Sequence, residues 1–275
     1  MAREPEHGGP FLEALFDAVE LPTQRLPPDL GRRYGGEIGL DGPVVYANFV
    51  ASLDGVVALG GGAPPSAISG GSPADRFVMG LLRACAGAVV VGAGTLRAEP
   101  EHRWTPAHIS PAHAAAYREL RSARGLAQDP VLVVLSQRGQ VDPTLPALRA
   151  GATIVTTATG AARVAGRAPS AVRVLTLGAN AVDPGAVVGA LRAEGHATIL
   201  CEGGPTVFGQ FVEAGTVDEL FLTLAPRLAG RTPATERLSL VEGVAFGPDQ
   251  LVSGTLRSAR RSGSDVFLRY SVERA

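Results

Sequence analysis

The chain has 275 residues, 45% of them hydrophobic, and a formal net charge of −1: enough apolar material for a large core, and no field that would draw it to nucleic acid or to an anionic membrane. All 25 basic residues are arginine, which excludes a Walker-type phosphate-loop lysine and any lysine Schiff base while leaving guanidinium groups for bidentate anion contacts. No run nears the roughly 18 apolar residues of a membrane span, no leader pattern is read at the N-terminus, and Cys85 and Cys201 lie in apolar stretches as reduced thiols, so a cytoplasmic protein acting on a small molecule is expected.

Residues 1–42 are rich in proline, glycine and charge, with one short amphipathic piece over 11–19, and read as an arm or cap on a single domain over 43–275. Residues 44–50 are β-rich and run into Ser52-Leu53-Asp54-Gly55, a turn that puts Asp54 just beyond a strand's carboxyl end. A mobile glycine-rich loop is expected over 60–71. Ser72-Pro73-Ala74-Asp75 then starts a helix, with Ser72 as N-cap, Pro73 in first position and Asp75 in the first turn. Phe77, Leu81, Leu82 and Cys85 supply its buried stripe, and Arg76 and Arg83, seven residues apart, share one side.

Residues 88–91 form an apolar strand that runs into Gly92-Ala93-Gly94-Thr95-Leu96-Arg97. Arg97 stands where a dinucleotide GxGxxG needs its third glycine, which makes a standard Rossmann dehydrogenase second choice. His102, His108 and His113 lie in a stretch broken by Pro106 and Pro111, with no i, i+4 pair and no HExxH, and read as a solvated loop without a metal site. A helix is expected over 112–124. Strands are expected over 131–135, ending at Ser136, and over 153–157 and 172–177. Asp183-Pro184 opens a helix that Gly195 closes.

Residues 198–201 read as a buried strand that passes through Glu202-Gly203-Gly204 into a helix from Pro205 to about Ala214. Gly203 and Gly204 permit positive φ and close backbone approach, Pro205 suits the first helical position, and the free N–H groups at the positive end of the helix dipole, with the Thr206 hydroxyl, make a pyrophosphate cradle. Glu202 is an acid where phosphate is expected, so it points elsewhere and is a candidate for the chemistry. Strands over 219–225, 251–259 and 266–272 follow without helices, which predicts an antiparallel tail. The fold class is α/β: a mixed sheet, mostly parallel, with antiparallel C-terminal strands and helices on both faces. Ligands bind such sheets at the strands' carboxyl ends, where Asp54, Gly92, Gly94, Ser136, Thr156 and Glu202 fall.

Four segments in this order, Asn48-Phe49-Val50-Ala51-Ser52-Leu53-Asp54-Gly55, Leu82-Arg83, Val91-Gly92-Ala93-Gly94-Thr95-Leu96-Arg97 and Glu202-Gly203-Gly204-Pro205-Thr206, resemble the pyrimidine reductase of riboflavin biosynthesis, the C-terminal domain of RibD-type proteins. Val217-Asp218-Glu219-Leu220 leading to Ala225-Pro226 matches too. The likeness covers residues 44 to about 272 and is strongest to stand-alone actinobacterial members. It implies a dihydrofolate-reductase-like fold and hydride transfer from NADPH to C1′ of an open-chain ribosylamine phosphate, which turns ribosyl into ribityl.

Carried onto this sequence, the resemblance puts Val50 at the nicotinamide, with Gly92, Gly94 and Thr95 nearby, and Gly203, Gly204, Pro205 and Thr206 on the pyrophosphate. Ser136, with Arg138, meets the adenosine ribose or its 2′-phosphate, and Thr156 and Thr157 border the adenine. Asp54 and Glu202 take catalytic roles, hydrogen-bonding the pyrimidine or relaying a proton to the imine nitrogen. Arg83 contacts the substrate phosphate, with Arg97 and Arg103 as further substrate-side cations. After its threonine the family continues with an Asp-rich turn, a proline, a leucine and an arginine; here Glu99-Pro100-Glu101-His102-Arg103-Trp104 appears, without the leucine and with Arg103 displaced. Trp104, the sole tryptophan, either stacks on substrate or plugs the packing. No HxE with PCxxC is present, so reduction alone is expected, without the deaminase zinc chemistry. Two alternatives stand beside the pathway enzyme: an NADPH-dependent reductase of another pteridine-like or imine substrate such as dihydrofolate, and an NADPH-binding protein without turnover. The antiparallel edge is expected to support a homodimer.

Overall fold

A computed structural model describes residues 11–19, 25–40, 42–60, 63–64 and 66–273. The chain opens with β1 (Glu13–Asp17) and α1 (Pro28–Tyr34), a helix that begins on Pro28 and ends at Gly35, whose φ of 74° only glycine adopts freely. β2 (Val44–Ser52) turns through Gly55 into β3 (Val56–Ala58), and α2 (Ser66–Ser69) precedes α3 (Pro73–Cys85). The start of α3 is as the sequence predicts: the Asp75 N–H donates to the Ser72 hydroxyl at 3.3 Å. Next come β4 (Ala88–Gly92), α4 (Ala93–Ala98), α5 (Pro106–Ile109), α6 (Ala114–Ala123), β5 (Val131–Leu135), β6 (Ala152–Thr156), α7 (Ala158–Val164), β7 (Val172–Thr176) and α8 (Pro184–Ala193). β8 (Thr198–Cys201), α9 (Pro205–Glu213), β9 (Glu219–Ala225), β10 (Leu238–Ser239), β11 (Gly254–Ser262) and β12 (Asp265–Val272) complete the chain.

Among the described residues ten strands form one sheet in the order β1-β11-β12-β9-β2-β8-β4-β5-β6-β7, and β3 pairs with β10 apart from it. From β9 to β7 every neighbour is parallel; β12, β11 and β1 add the antiparallel edge. The expected antiparallel tail therefore starts one strand late. β9 runs parallel to β2, from Tyr46 opposite Glu219 to Ser52 opposite Ala225, because α9 carries the chain across the sheet as a βαβ crossover. β11 begins at Gly254 rather than at residue 251.

Alternation along the central strands divides the core between the two faces. Tyr46, Val89, Val91 and Leu200 pack with α1, α3 and α6, whereas Val45, Val90, Ile199 and Cys201 pack with α8 and α9. Both cysteines are buried and free.

The N-terminal segment is part of this core rather than a cap laid over it. Leu12, Leu30, Tyr34, Ile38 and Leu40 belong to the α3-side cluster, and β1 is an edge strand whose Asp17 pairs with the buried Arg260 at 2.8 Å. Arg269, also buried, binds Glu219 through two 2.7 Å contacts and donates to the carbonyls of Ile38 and Gly39. These apolar residues are scattered among glycine and charge, so composition reads as an arm while each one is individually buried. Residues 1–10, 20–24 and 41 of the expected arm, and 61, 62 and 65 of the glycine-rich loop, lie outside the described residues. The histidine stretch is packed too: His113 is buried, with its ring 2.8 Å from the Ser110 hydroxyl and edge-on to Phe77.

Candidate active site

A cavity of about 1100 Å³ opens at the carboxyl ends of the parallel strands. β2 contributes Val50, the β4–α4 junction Gly92, Gly94 and Thr95, the end of β5 Ser136, and the β8–α9 junction Glu202 to Thr206. α3 adds a wall of Asp75, Arg76, Met79 and Arg83.

The cradle at α9 forms by a different use of glycine from the one expected. Gly203, Gly204, Gly92 and Gly94 all lack positive φ; what they supply is room. A Cβ on Gly203 would stand 2.6 Å from Val207 Cγ1, and one on Gly92 would stand 2.9 Å from Val207 Cγ2, so the start of α9 sits directly against the ends of β8 and β4. Gly204 is the N-cap and has no side chain to cap the helix, and Pro205 has no N–H to lose. The N–H groups of Thr206 and Val207 are thus left free among the described residues, at the positive end of the helix dipole and on the cavity wall. This arrangement fits the pyrophosphate of a dinucleotide. Gly203→Ala is expected to strain this junction by roughly 1–3 kcal/mol, because Val207 is β-branched on a helix and has little rotamer freedom with which to yield. Thermal unfolding and a fluorescence titration with reduced dinucleotide read it: a lower Tm and weaker binding are expected, and normal binding would remove the cradle from the cofactor site.

At the inner end of the cavity the structure joins two residues that the sequence reading kept apart. Arg83 Nη2 lies 2.7 Å from Glu202 Oε2, and Arg83 Nε lies 3.0 and 3.1 Å from the two carboxylate oxygens. The side chains are only 2% and 8% exposed, so this is a bidentate pair taken out of water. Arg83 is therefore not a free cation awaiting a phosphate; it fixes the Glu202 carboxylate on the cavity wall. Its Nη1 donates to the Arg103 carbonyl at 3.4 Å. The other expected substrate contact, Arg103, does not line the large cavity; it lines an adjoining pocket of about 240 Å³ with Arg118 and Arg121, and His108 borders both.

Asp75 is the acid the sequence reading missed. It lines the cavity, is 5% exposed, and hydrogen-bonds Thr223 of β9. Burial, opposed by that hydrogen bond and reinforced by Asp265, pushes its carboxyl up from 3.8 to about 6. A Ser-Pro-Ala-Asp helix start accounts for an aspartate without invoking chemistry. Its i, i+4, i+8 spacing with Met79 and Arg83 was the signal that it faces the same wall.

Asp54, expected at the reacting centre, is not on the cavity wall. It sits on the exposed turn after β2 and accepts N–H groups from Ala229 at 3.0 Å and Gly230 at 2.7 Å, along with the Ser52 hydroxyl at 2.6 Å. These donors, the Ala229 N–H first, hold its carboxyl far below the usual range. Its work is to brace the loop after β9. Thr156 is likewise withdrawn: fully buried beneath the wall, its hydroxyl donates to the Ser136 carbonyl at 2.6 Å. Thr157 donates to the Gln137 carbonyl and caps α7. Ser136, Arg97 and Arg138 do line the cavity, and Arg97 donates to the Gln140 carbonyl at 3.2 Å.

The departure noted after Thr95 becomes a wall of rings. His102 meets Trp104 and His108 edge-on, with centroids 4.8 Å apart in each case, and all three line the cavity. Burial, helped by Arg83, pushes His102 down to about 3, so its ring is neutral, and its Nε2 has no partner among the described residues. Trp104 is 3% exposed, which makes it both packing plug and cavity wall.

The model of the RibD C-terminal domain family matches residues 43–268 of this chain, and the chain belongs to that family. Its fold is dihydrofolate-reductase-like. A riboflavin biosynthesis protein RibD of Bacillus amyloliquefaciens is 35% identical over 123 residues, 43% of this chain; the match spans 32% of that relative. Among solved structures, a pyrimidine reductase-like protein of Corynebacterium diphtheriae superimposes with a TM-score of 0.67 at 25% identity, covering 85% of this chain and 93% of that one. The riboflavin biosynthesis reductase Rib7 of Saccharomyces cerevisiae shares the fold, with a TM-score of 0.58 at 16% identity over 89% of this chain and 96% of its own.

Proposed function

We propose that this member of the RibD C-terminal domain family is an NADPH-dependent reductase of a ribosylaminopyrimidine phosphate, converting ribosyl to ribityl in riboflavin biosynthesis. The observation that carries the reading is one cavity holding an uncapped helix start, the buried Arg83–Glu202 pair and the buried Asp75, whose carboxyl is raised to about 6. Bound NADPH supplies the hydride that adds to C1′ of the imine. The chain's own residues do the rest. Thr206 and Val207 N–H groups hold the pyrophosphate, and Ser136, Arg97 and Arg138 at the end of β5 suit a 2′-phosphate, which favours NADPH over NADH. Glu202, held rigid by Arg83, accepts hydrogen bonds from the pyrimidine. Asp75 delivers the proton that the imine nitrogen takes up as C1′ gains its hydride.

We place the reaction in the cytoplasm, on the two buried free thiols; among the described residues no helix is long and apolar enough to cross a membrane. β1, the edge strand among the described residues, exposes Leu15 and Phe16, which supports a homodimer. A second reading, reduction of another pteridine-like or imine substrate such as dihydrofolate, is favoured by the His102–Trp104–His108 wall. Loss of absorbance of the reduced cofactor with the deaminated and undeaminated phosphoribosylamino pyrimidines and with dihydrofolate tests both. Turnover of either supports the pathway reaction; turnover of dihydrofolate alone moves the assignment to the second reading; cofactor binding with no turnover on either class overturns the enzyme.

A further inference from the structure

The start of α3 lies over the antiparallel edge of the sheet, and two side chains of that edge bracket Asp75. Alternation along β9 puts Phe221 and Thr223, both buried, on the face that α3 covers. On β12, Phe267 stands directly opposite Thr223 and belongs to the same core cluster as Phe221, so Asp265, two residues before it, points to that face as well. Both are fastened to the first turn of the helix. Thr223 hydrogen-bonds the Asp75 carboxyl, while the Ser72 hydroxyl donates to Asp265 Oδ2 at 2.7 Å and accepts the Asp75 N–H at 3.3 Å. The N-cap serine thus holds a second carboxylate against the turn that carries Asp75.

What faces Asp75 decides whether it keeps its proton. Burial is the largest influence and favours the neutral acid; the Thr223 hydroxyl comes next and favours the carboxylate; Asp265 opposes ionisation as a like charge. From its own helix Arg76 favours the carboxylate, and Glu202, whose charge Arg83 answers, disfavours it. Arg76, Arg83 and Glu202 all line the cavity, whereas Thr223 and Asp265 do not. A carboxyl whose neighbours pull it in opposite directions from outside the cavity can be tuned without changing the surface that a ligand meets.

We propose that Thr223 and Asp265 are opposed positioning residues for the Asp75 proton: the hydroxyl holds the carboxyl and draws it towards ionisation, and the second carboxylate, pinned by Ser72, keeps it protonated. The proposal rests on the role given to Asp75 above. The test is the pH profile of kcat with NADPH and the ribosylaminopyrimidine phosphate, on wild type, Asp265→Asn and Thr223→Val. Asparagine still accepts from Ser72 and removes only the charge; valine keeps the branched shape and removes only the hydroxyl. Asp265→Asn is expected to move the decline of kcat to lower pH by about half a unit or more, and Thr223→Val to move it to higher pH by about as much. A structural role alone would lower kcat without moving the profile. Denaturant titrations read the same proton without turnover. The pH range over which the Asp75 protein loses stability relative to its Asp75→Asn counterpart should end lower in the Asp265→Asn background and higher in the Thr223→Val one. Stability ranges that move the same way in both backgrounds, or in neither, overturn the proposal. Opposed movements in stability with no reduction of either pyrimidine by wild type uphold the pair and overturn the function; opposed movements with an unmoved kcat profile uphold the pair and take Asp75 out of the chemistry.

Discussion

Arg83→Ala should unfold at a markedly lower temperature than wild type and lose most of its turnover in the same step. The reason is the partner left behind. Glu202 would keep a carboxylate 8% exposed with no cation against it, and breaking a buried pair from one side costs about 3–5 kcal/mol. For a chain of this size each kcal/mol is about 2–4 °C in Tm, so a fall of about 10 °C is expected. A phosphate contact at Arg83, as the sequence suggested, would instead raise KM and leave Tm and kcat nearly untouched. Replacing both partners, Arg83→Met with Glu202→Leu, should recover much of the stability, since the charges leave together, but none of the rate. Glu202→Gln should keep NADPH affinity within a few-fold and lower kcat on the order of 10²-fold. A double variant that keeps wild-type kcat would make the pair structural only.

Asp75→Asn should separate stability from turnover. The native carboxyl, raised from 3.8 to about 6, holds its proton more tightly folded than unfolded. Well below 3.8 both states are protonated and the group contributes nothing; as pH rises from there the unfolded chain ionises first and stability falls, and well above 6 the destabilisation is complete at about 3 kcal/mol. Asparagine removes that penalty, so the variant should gain stability relative to wild type at pH 7 and above and show a flatter dependence between 4 and 6. Turnover should move the other way. As proton donor Asp75 makes wild-type kcat decline as pH rises through about 6, and the variant should lose on the order of 10²-fold in kcat along with that decline. Denaturant titrations and kcat profiles over the same pH series measure both. A variant with an unchanged kcat profile would return Asp75 to the role of a buried helix-start residue.

Much of the frame was legible in the chain itself. Ser72-Pro73 started α3, Asp183-Pro184 started α8, and Gly203-Gly204-Pro205 ended β8 and opened α9, because capping and proline geometry act over a few adjacent residues. The apolar runs at β4, β5 and β8 read as strands buried on both faces for the same local reason, and the ordered motifs carried the family. What the side chains do across the cavity was not legible. Asp54 and Asp75 are both acids beside a turn or a helix start, alike in sequence. One is drawn outward by N–H groups of a loop 175 residues on, and the other is buried on the cavity wall against Thr223 of β9. Arg83 and Glu202 lie 119 residues apart and meet because β4 and β8 are neighbours in the sheet. Local periodicity specifies which face of an element is apolar, but a charge's partner depends on which strands lie side by side, and that ordering exists only once the sheet has formed.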